Sequence, residues 1–132
     1  MMIGLDTNVL VRYIAQDDKK QSAQATKLME AFTSEKPGFV SLIAIIELVW
    51  VLESCYESDK NEIINVIDTL LKTKELVVEN AAVVQQALRI FSATNADFSD
   101  CLIERSGHHA GCRHTATFDR KASKMEGMIF VS

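Results

Sequence analysis

Apolar and polar positions along this chain alternate between short apolar runs and stretches of helical period. Ile3 and Leu5 flank Gly4 and read as a buried strand that ends at Asp6. Val9, Leu10, Tyr13 and Ile14 then recur at helical spacing, and Asp6 or Thr7 can cap that helix. After a break at Gln16-Asp17-Asp18, a second helix is expected over 19–33, with Ala23, Leu28, Met29 and Phe32 turned inward and Pro37-Gly38 ending it. Phe39-Val40 is a short strand, and Ser41 is a good cap for a helix over 42–52. That helix is apolar on every side except at Glu47, which predicts a buried central element. Residues 61–71 form an amphipathic helix with a wide stripe of Ile63, Ile64, Ile67, Leu70 and Leu71.

The same grammar continues to the end. Leu76-Val77-Val78 is a strand, 81–92 a helix, and 97–109 a helix with acids in its first turn, as the helix dipole favours. Thr115-Ala116-Thr117-Phe118 is a strand running into Asp119, and 128–131 is a closing strand. Strands that alternate with helices imply an α/β chain with a mostly parallel sheet and helices on both faces.

Composition adds bounds. At 132 residues, 48% hydrophobic and 24% charged, the chain is expected to be a single domain over 1–132 with a real core. Its net charge of −4 gives no overall basic field, yet Arg105, Arg113, Arg120, Lys121 and Lys124 crowd the last quarter beside the three histidines. A net-acidic protein can hold RNA if basic residues rim an acidic, metal-filled centre. Three widely spaced cysteines without a C-x-x-C pair suit a reducing cytoplasm. The start has no basic leader region, and the longest apolar run, 39–52, falls short of the ~20 residues that cross a bilayer. A soluble, cytoplasmic protein without membrane contact is expected.

Four acids stand out by position. Asp6 and Asp119 each end a strand, Glu47 interrupts the apolar helix, and Asp100 sits in the first turn of a helix three residues after Asp97. Each has a plain alternative: a cap for Asp6, a distant cation for Glu47, a cap and its N3 partner for Asp97 and Asp100, a turn for Asp119. Their neighbours are apolar, so burial is expected, and buried carboxylates need compensation. A shared divalent cation is the simplest. Carboxylate oxygens suit Mg²⁺ or Mn²⁺ rather than zinc, and such ions promote phosphodiester hydrolysis. On that chemistry Asp6 and Asp100 are expected as the principal ligands, Glu47 and Asp119 as positioning water or a second ion, and Arg113, Arg120 and Lys121 as candidates for holding a phosphodiester backbone.

The stretches Asp6-Thr7-Asn8-Val9-Leu10-Val11-Arg12-Tyr13, Glu47-Leu48-Val49-Trp50-Val51-Leu52, Ala96-Asp97-Phe98-Ser99-Asp100-Cys101-Leu102-Ile103 and Thr117-Phe118-Asp119 resemble the PIN domain. More narrowly, they resemble the VapC-type toxins of bacterial toxin–antitoxin pairs. The resemblance implies a three-layer α/β/α fold with a central, mostly parallel sheet. It implies that Asp6, Glu47, Asp100 and Asp119 bind Mg²⁺ or Mn²⁺ and cleave RNA, with Asn8 and Thr117 in support and Asp97 outside the quartet. It also implies a homodimer and a partner antitoxin that covers or enters the site.

Other readings fit less well. The run His108-His109-Ala110-Gly111-Cys112-Arg113-His114 matches no standard zinc spacing, and Gly111 reads as the C-cap of a helix. A haloacid-dehalogenase-like phosphatase wants an acid where Asn8 stands, and Glu79-Asn80 does not supply the phosphoacceptor of a receiver domain. The non-enzymatic rival is a PIN scaffold used only to bind protein, and such a scaffold should have lost members of the quartet.

Overall fold

The computed structural model describes residues 1–132. The chain divides into two compact units, Met1–Ala81 and Ala82–Ser132.

The first unit carries β1 (Ile3–Gly4), α1 (Thr7–Ala15), α2 (Lys19–Ala31), β2 (Gly38–Val40), α3 (Leu42–Cys55), α4 (Lys60–Lys72) and β3 (Leu76–Val78). Its strands lie in the order β1-β2-β3, parallel throughout, with Ile3 opposite Gly38 and Gly38 opposite Leu76. Gly38 is required at this crossing. A Cβ there would stand 2.6 Å from the Phe32 ring, so only glycine lets that ring lie against β2. Leu10, Val40, Ile45, Leu48, Ile63 and Ile67 are fully buried. Helix starts follow capping chemistry: Ser41 accepts from the Ala44 N–H at 3.1 Å, and Asp59 and Glu62 form a reciprocal capping box on α4.

The second unit carries α5 (Ala81–Ala93, whose first residue belongs to the first unit), α6 (Phe98–His109), β4 (Thr115–Thr117), a 3-10 turn (Ala122–Lys124) and β5 (Met128–Phe130). β4 and β5 pair in parallel, Thr115 opposite Met128. The Phe91 and Phe98 rings meet edge to face at 5.7 Å and join α5 to α6. Cys101 is fully buried, its sulfur 3.8 Å from that of Met125, and burial together with the nearby acids pushes its thiol up to about 11. Cys55 and Cys112 are exposed. α6 closes as expected at Gly111, which takes φ +100° and donates its N–H to the His108 carbonyl.

Every ladder is parallel, as the alternation of strands and helices predicts. Several burial expectations are corrected. Ile3 is 53% exposed and only Leu5 is buried at the first strand. α2 buries Ser22 and Ala25, leaving Ala23 exposed and Leu28 and Met29 half-buried, because its small residues rather than its long ones form the buried face. Phe32, just past its end, is buried. α3 buries Ala44, Ile45, Leu48, Val49 and Leu52 but turns Ile43, Ile46, Glu47 and Trp50 outward, so it is not an enclosed helix. The wide α4 stripe is mostly consumed in folding: Ile63, Ile67 and Leu70 are buried, Ile64 and Leu71 half-buried.

Candidate active site

In the first unit the chain leaves β1 through Leu5 and turns at Asp6, whose extended backbone suits a helix N-cap. The Asp6 carboxylate accepts the Thr7 N–H at 2.8 Å, and the nearly buried Thr7 hydroxyl donates to Glu47 Oε1 at 2.9 Å. That one hydroxyl ties the start of α1 to the middle of α3 across 40 positions of sequence. Asp6 and Glu47 are both exposed, contrary to the burial their apolar neighbours suggest. A cap residue faces the solvent beyond the helix end, and Glu47 lies on the outward stripe of α3. Asn8 is also exposed and lines a cavity of about 260 Å³ with Val9, Arg12 and residues of α2.

The second unit gathers a denser set. Asp97 takes the N-cap position of α6 but makes no capping hydrogen bond, and its carboxylate instead accepts from Lys121 Nζ at 3.2 Å. Asp100 stands three residues on and is partly buried. Burial and the neighbouring charges of Asp97 and Asp119 raise its pKa above the usual carboxylate value, while Lys121 pulls it down. Asp119 is exposed, and its Oδ1 accepts the backbone N–H groups of Lys121 at 2.8 Å and Ala122 at 3.1 Å, opening the 3-10 turn. The Thr117 hydroxyl accepts the Asp119 N–H at 3.0 Å and so fixes the acid just beyond β4.

The three basic candidates part ways. Lys121 is engaged with Asp97, Arg120 stacks 4.4 Å over the Phe130 ring, and Arg113 borders a separate cavity of its unit. Thus Asp6, Thr7 and Glu47 come together in the first unit, and Asp97, Asp100, Thr117, Asp119 and Lys121 in the second. Two of these were not anticipated as site members. Thr7 reads in sequence only as a possible cap, and nothing local signals its reach to Glu47. Asp97 carries a usable sign, its i, i+3 spacing to Asp100.

No three His, Cys, Asp or Glu side chains stand as a ready-made metal cage. The donor chemistry nonetheless fits a hard cation: every acid presents carboxylate oxygens, and the like charges that raise the Asp100 pKa are what a divalent ion relieves.

The chain is 27% identical over 121 residues to the VapC ribonuclease of Aquifex aeolicus (strain VF5), an alignment covering 92% of this chain and 90% of that protein. The model of the PIN domain family matches residues 3–128. The alternating helices and parallel strands are in keeping with the α/β/α fold of that family. With a match that runs from β1 to β5, this chain belongs to the PIN domain family.

Proposed function

We propose that the chain is a metal-dependent endoribonuclease, the toxin of a toxin–antitoxin pair, with residues 1–132 acting as one nuclease domain. Asp6 and Asp100 serve as principal ligands of Mg²⁺ or Mn²⁺, and Glu47 and Asp119 position water or a second ion. The observation that carries this reading is the partly buried Asp100 in the first turn of α6, whose pKa is raised by burial first and then by the charges of Asp97 and Asp119. Family membership and the similarity to a VapC ribonuclease support it.

A divalent ion, when bound, neutralises charge on the phosphate and makes water a better nucleophile. The chain's own residues do the holding. The Thr7 hydroxyl orients Glu47, the Thr117 hydroxyl and the backbone N–H groups of the 3-10 turn orient Asp119, and Asn8 lies two residues from Asp6. Lys121 offsets the acids, and with Arg113 and Arg120 it supplies cations for the RNA backbone. The outward stripe of Ile43, Ile46 and Trp50 beside Glu47 supports capture of an antitoxin segment and self-association. Action in the cytoplasm belongs to the same reading, and no helix is long and apolar enough to cross a membrane.

The test is cleavage of a mixed RNA sample with Mn²⁺ and with EDTA. Cleavage should need the metal, and Asp100→Asn should lower it by about three orders of magnitude or more, roughly 4 kcal/mol of barrier. Undiminished cleavage by Asp100→Asn overturns the assignment. A wild type that is inactive but binds an antitoxin favours the protein-binding scaffold instead.

A further inference from the structure

The second unit contains a cavity of about 770 Å³, and of its lining the nuclease reading uses only Arg113. α5, the last half of α6, Arg113 and His114, and the segment leading into β5 line it. His108 follows Asp100 by eight helical residues, which at ~1.5 Å each sets this end of α6 about 12 Å along the axis from the acids. The volume falls within the roughly 300–1,000 Å³ usual for ligand sites.

Its lining is cationic in a chain that is net acidic. Arg89, Arg105, Arg113 and Lys124 stand with His108 and His114 against two carboxylates, Glu104 and Glu126. One of those acids is already satisfied. Glu104 is buried and accepts from Arg105 Nε at 2.6 Å and from Arg105 Nη2 at 2.7 Å. It is wedged against Gly127, where a Cβ would collide with its carboxylate. With that pair closed on itself, Arg89, Arg113 and Lys124 face Glu126 alone. All three are exposed, and none of their side chains makes a hydrogen bond or ion pair within the chain. Ile90, Ala93 and Met125 add apolar surface to the same cavity. Unpaired guanidinium groups beside apolar surface suit a ligand that is anionic at one end and flat and apolar at the other.

We propose that this cavity binds a nucleotide, with Arg89, Arg113 and Lys124 taking its phosphate and Ile90, Ala93 and Met125 its base. The ligand is a free nucleotide or one residue of an RNA strand, which share this chemistry. The site requires neither metal nor cleavage, so its test can be read when the nuclease reading fails, and the reverse.

The experiment is calorimetric titration of the full chain in EDTA at low salt with inorganic phosphate, with AMP and with a short single-stranded oligoribonucleotide. AMP or the oligoribonucleotide should bind saturably and more tightly than phosphate. The double variant Arg89→Gln/Lys124→Gln should weaken binding at least tenfold while the melting temperature holds. Binding of AMP alone assigns the site to a free nucleotide. Binding of the oligoribonucleotide that AMP competes assigns it to a strand, and strand binding that AMP does not compete counts against this cavity. On the wild type, amide shifts on ligand addition should centre on residues 89–94 and 124–127, a readout that does not depend on any variant folding. Absence of saturable binding, phosphate bound as tightly as AMP, or binding and shifts indifferent to the cavity residues would overturn the proposal.

Discussion

The two units treat their acids differently. In the first, Asp6 and Glu47 meet neutral donors, a backbone N–H and a threonine hydroxyl. In the second, Asp100 shares its surroundings with Asp97 and Asp119, and only Lys121 opposes them. In the first unit Asp6 and Glu47 also serve structure, one as a cap and the other in a cross-link between helices. The second unit accumulates like charge at a helix start. A carboxylate held by neutral donors stabilises the fold without help, whereas crowded carboxylates burden it until a cation arrives.

Removing the cross-link should give the largest change in stability. Thr7→Val keeps the shape of a nearly buried side chain and deletes the hydroxyl that reaches Glu47, at about 1–2 kcal/mol in urea unfolding. Thr7→Ser should recover much of the loss, and a Thr7→Val protein as stable as wild type would mean the cross-link carries nothing.

The sharpest contrast is one of sign. In EDTA at pH 7, Asp6→Ala should destabilise by about 1 kcal/mol through loss of the cap. Asp100→Asn should instead raise the melting temperature, because it removes a charge disfavoured first by burial and then by Asp97 and Asp119. Folding raises the Asp100 pKa, so its cost is absent below the unfolded value of ~4, grows as pH rises, and is full above the folded value. The gain from Asp100→Asn should therefore vanish near pH 3 and be complete at neutrality. A gain that does not vary with pH removes the electrostatic account, and Mn²⁺ should stabilise the wild type more than the variant.

Lys121→Met should have the smallest effect. It breaks an exposed ion pair with Asp97, worth less than about 1 kcal/mol, and should push the Asp100 pKa further up, readable by carboxyl NMR titration. An unmoved Asp100 titration would show that Lys121 does not moderate the cluster.

Much of this contrast was legible in the sequence, and the rest was not for definite reasons. The strand-end placement of Asp6 and Asp119 follows from short apolar runs broken by an acid, a local pattern. The helix start at Ser41 is local too, since a capping side chain speaks to an amide three residues away, whereas the cap at Asp59 lies before the apolar stripe that set that helix at 61–71. Burial is set by what packs on each face. α3 is apolar all round in sequence, yet one stripe of Ile43, Ile46 and Trp50 meets solvent. α2 buries a serine and an alanine because the closeness of its neighbours, which periodicity does not report, admits small residues. Thr7 to Glu47 and Lys121 to Asp97 are long-range pairs of ordinary surface residue types, and no spacing rule announces them.

The cysteines make this chain its own measuring device. Cys101 is enclosed and its thiol held protonated, while Cys55 closes α3 in the first unit and Cys112 follows α6 in the second, both open to reagents. A thiol-reactive dye or nitroxide will thus attach once to each unit with no engineered residue. Resonance-energy transfer or pulsed electron-spin distances then report whether metal, RNA or a nucleotide changes the separation of the two labels.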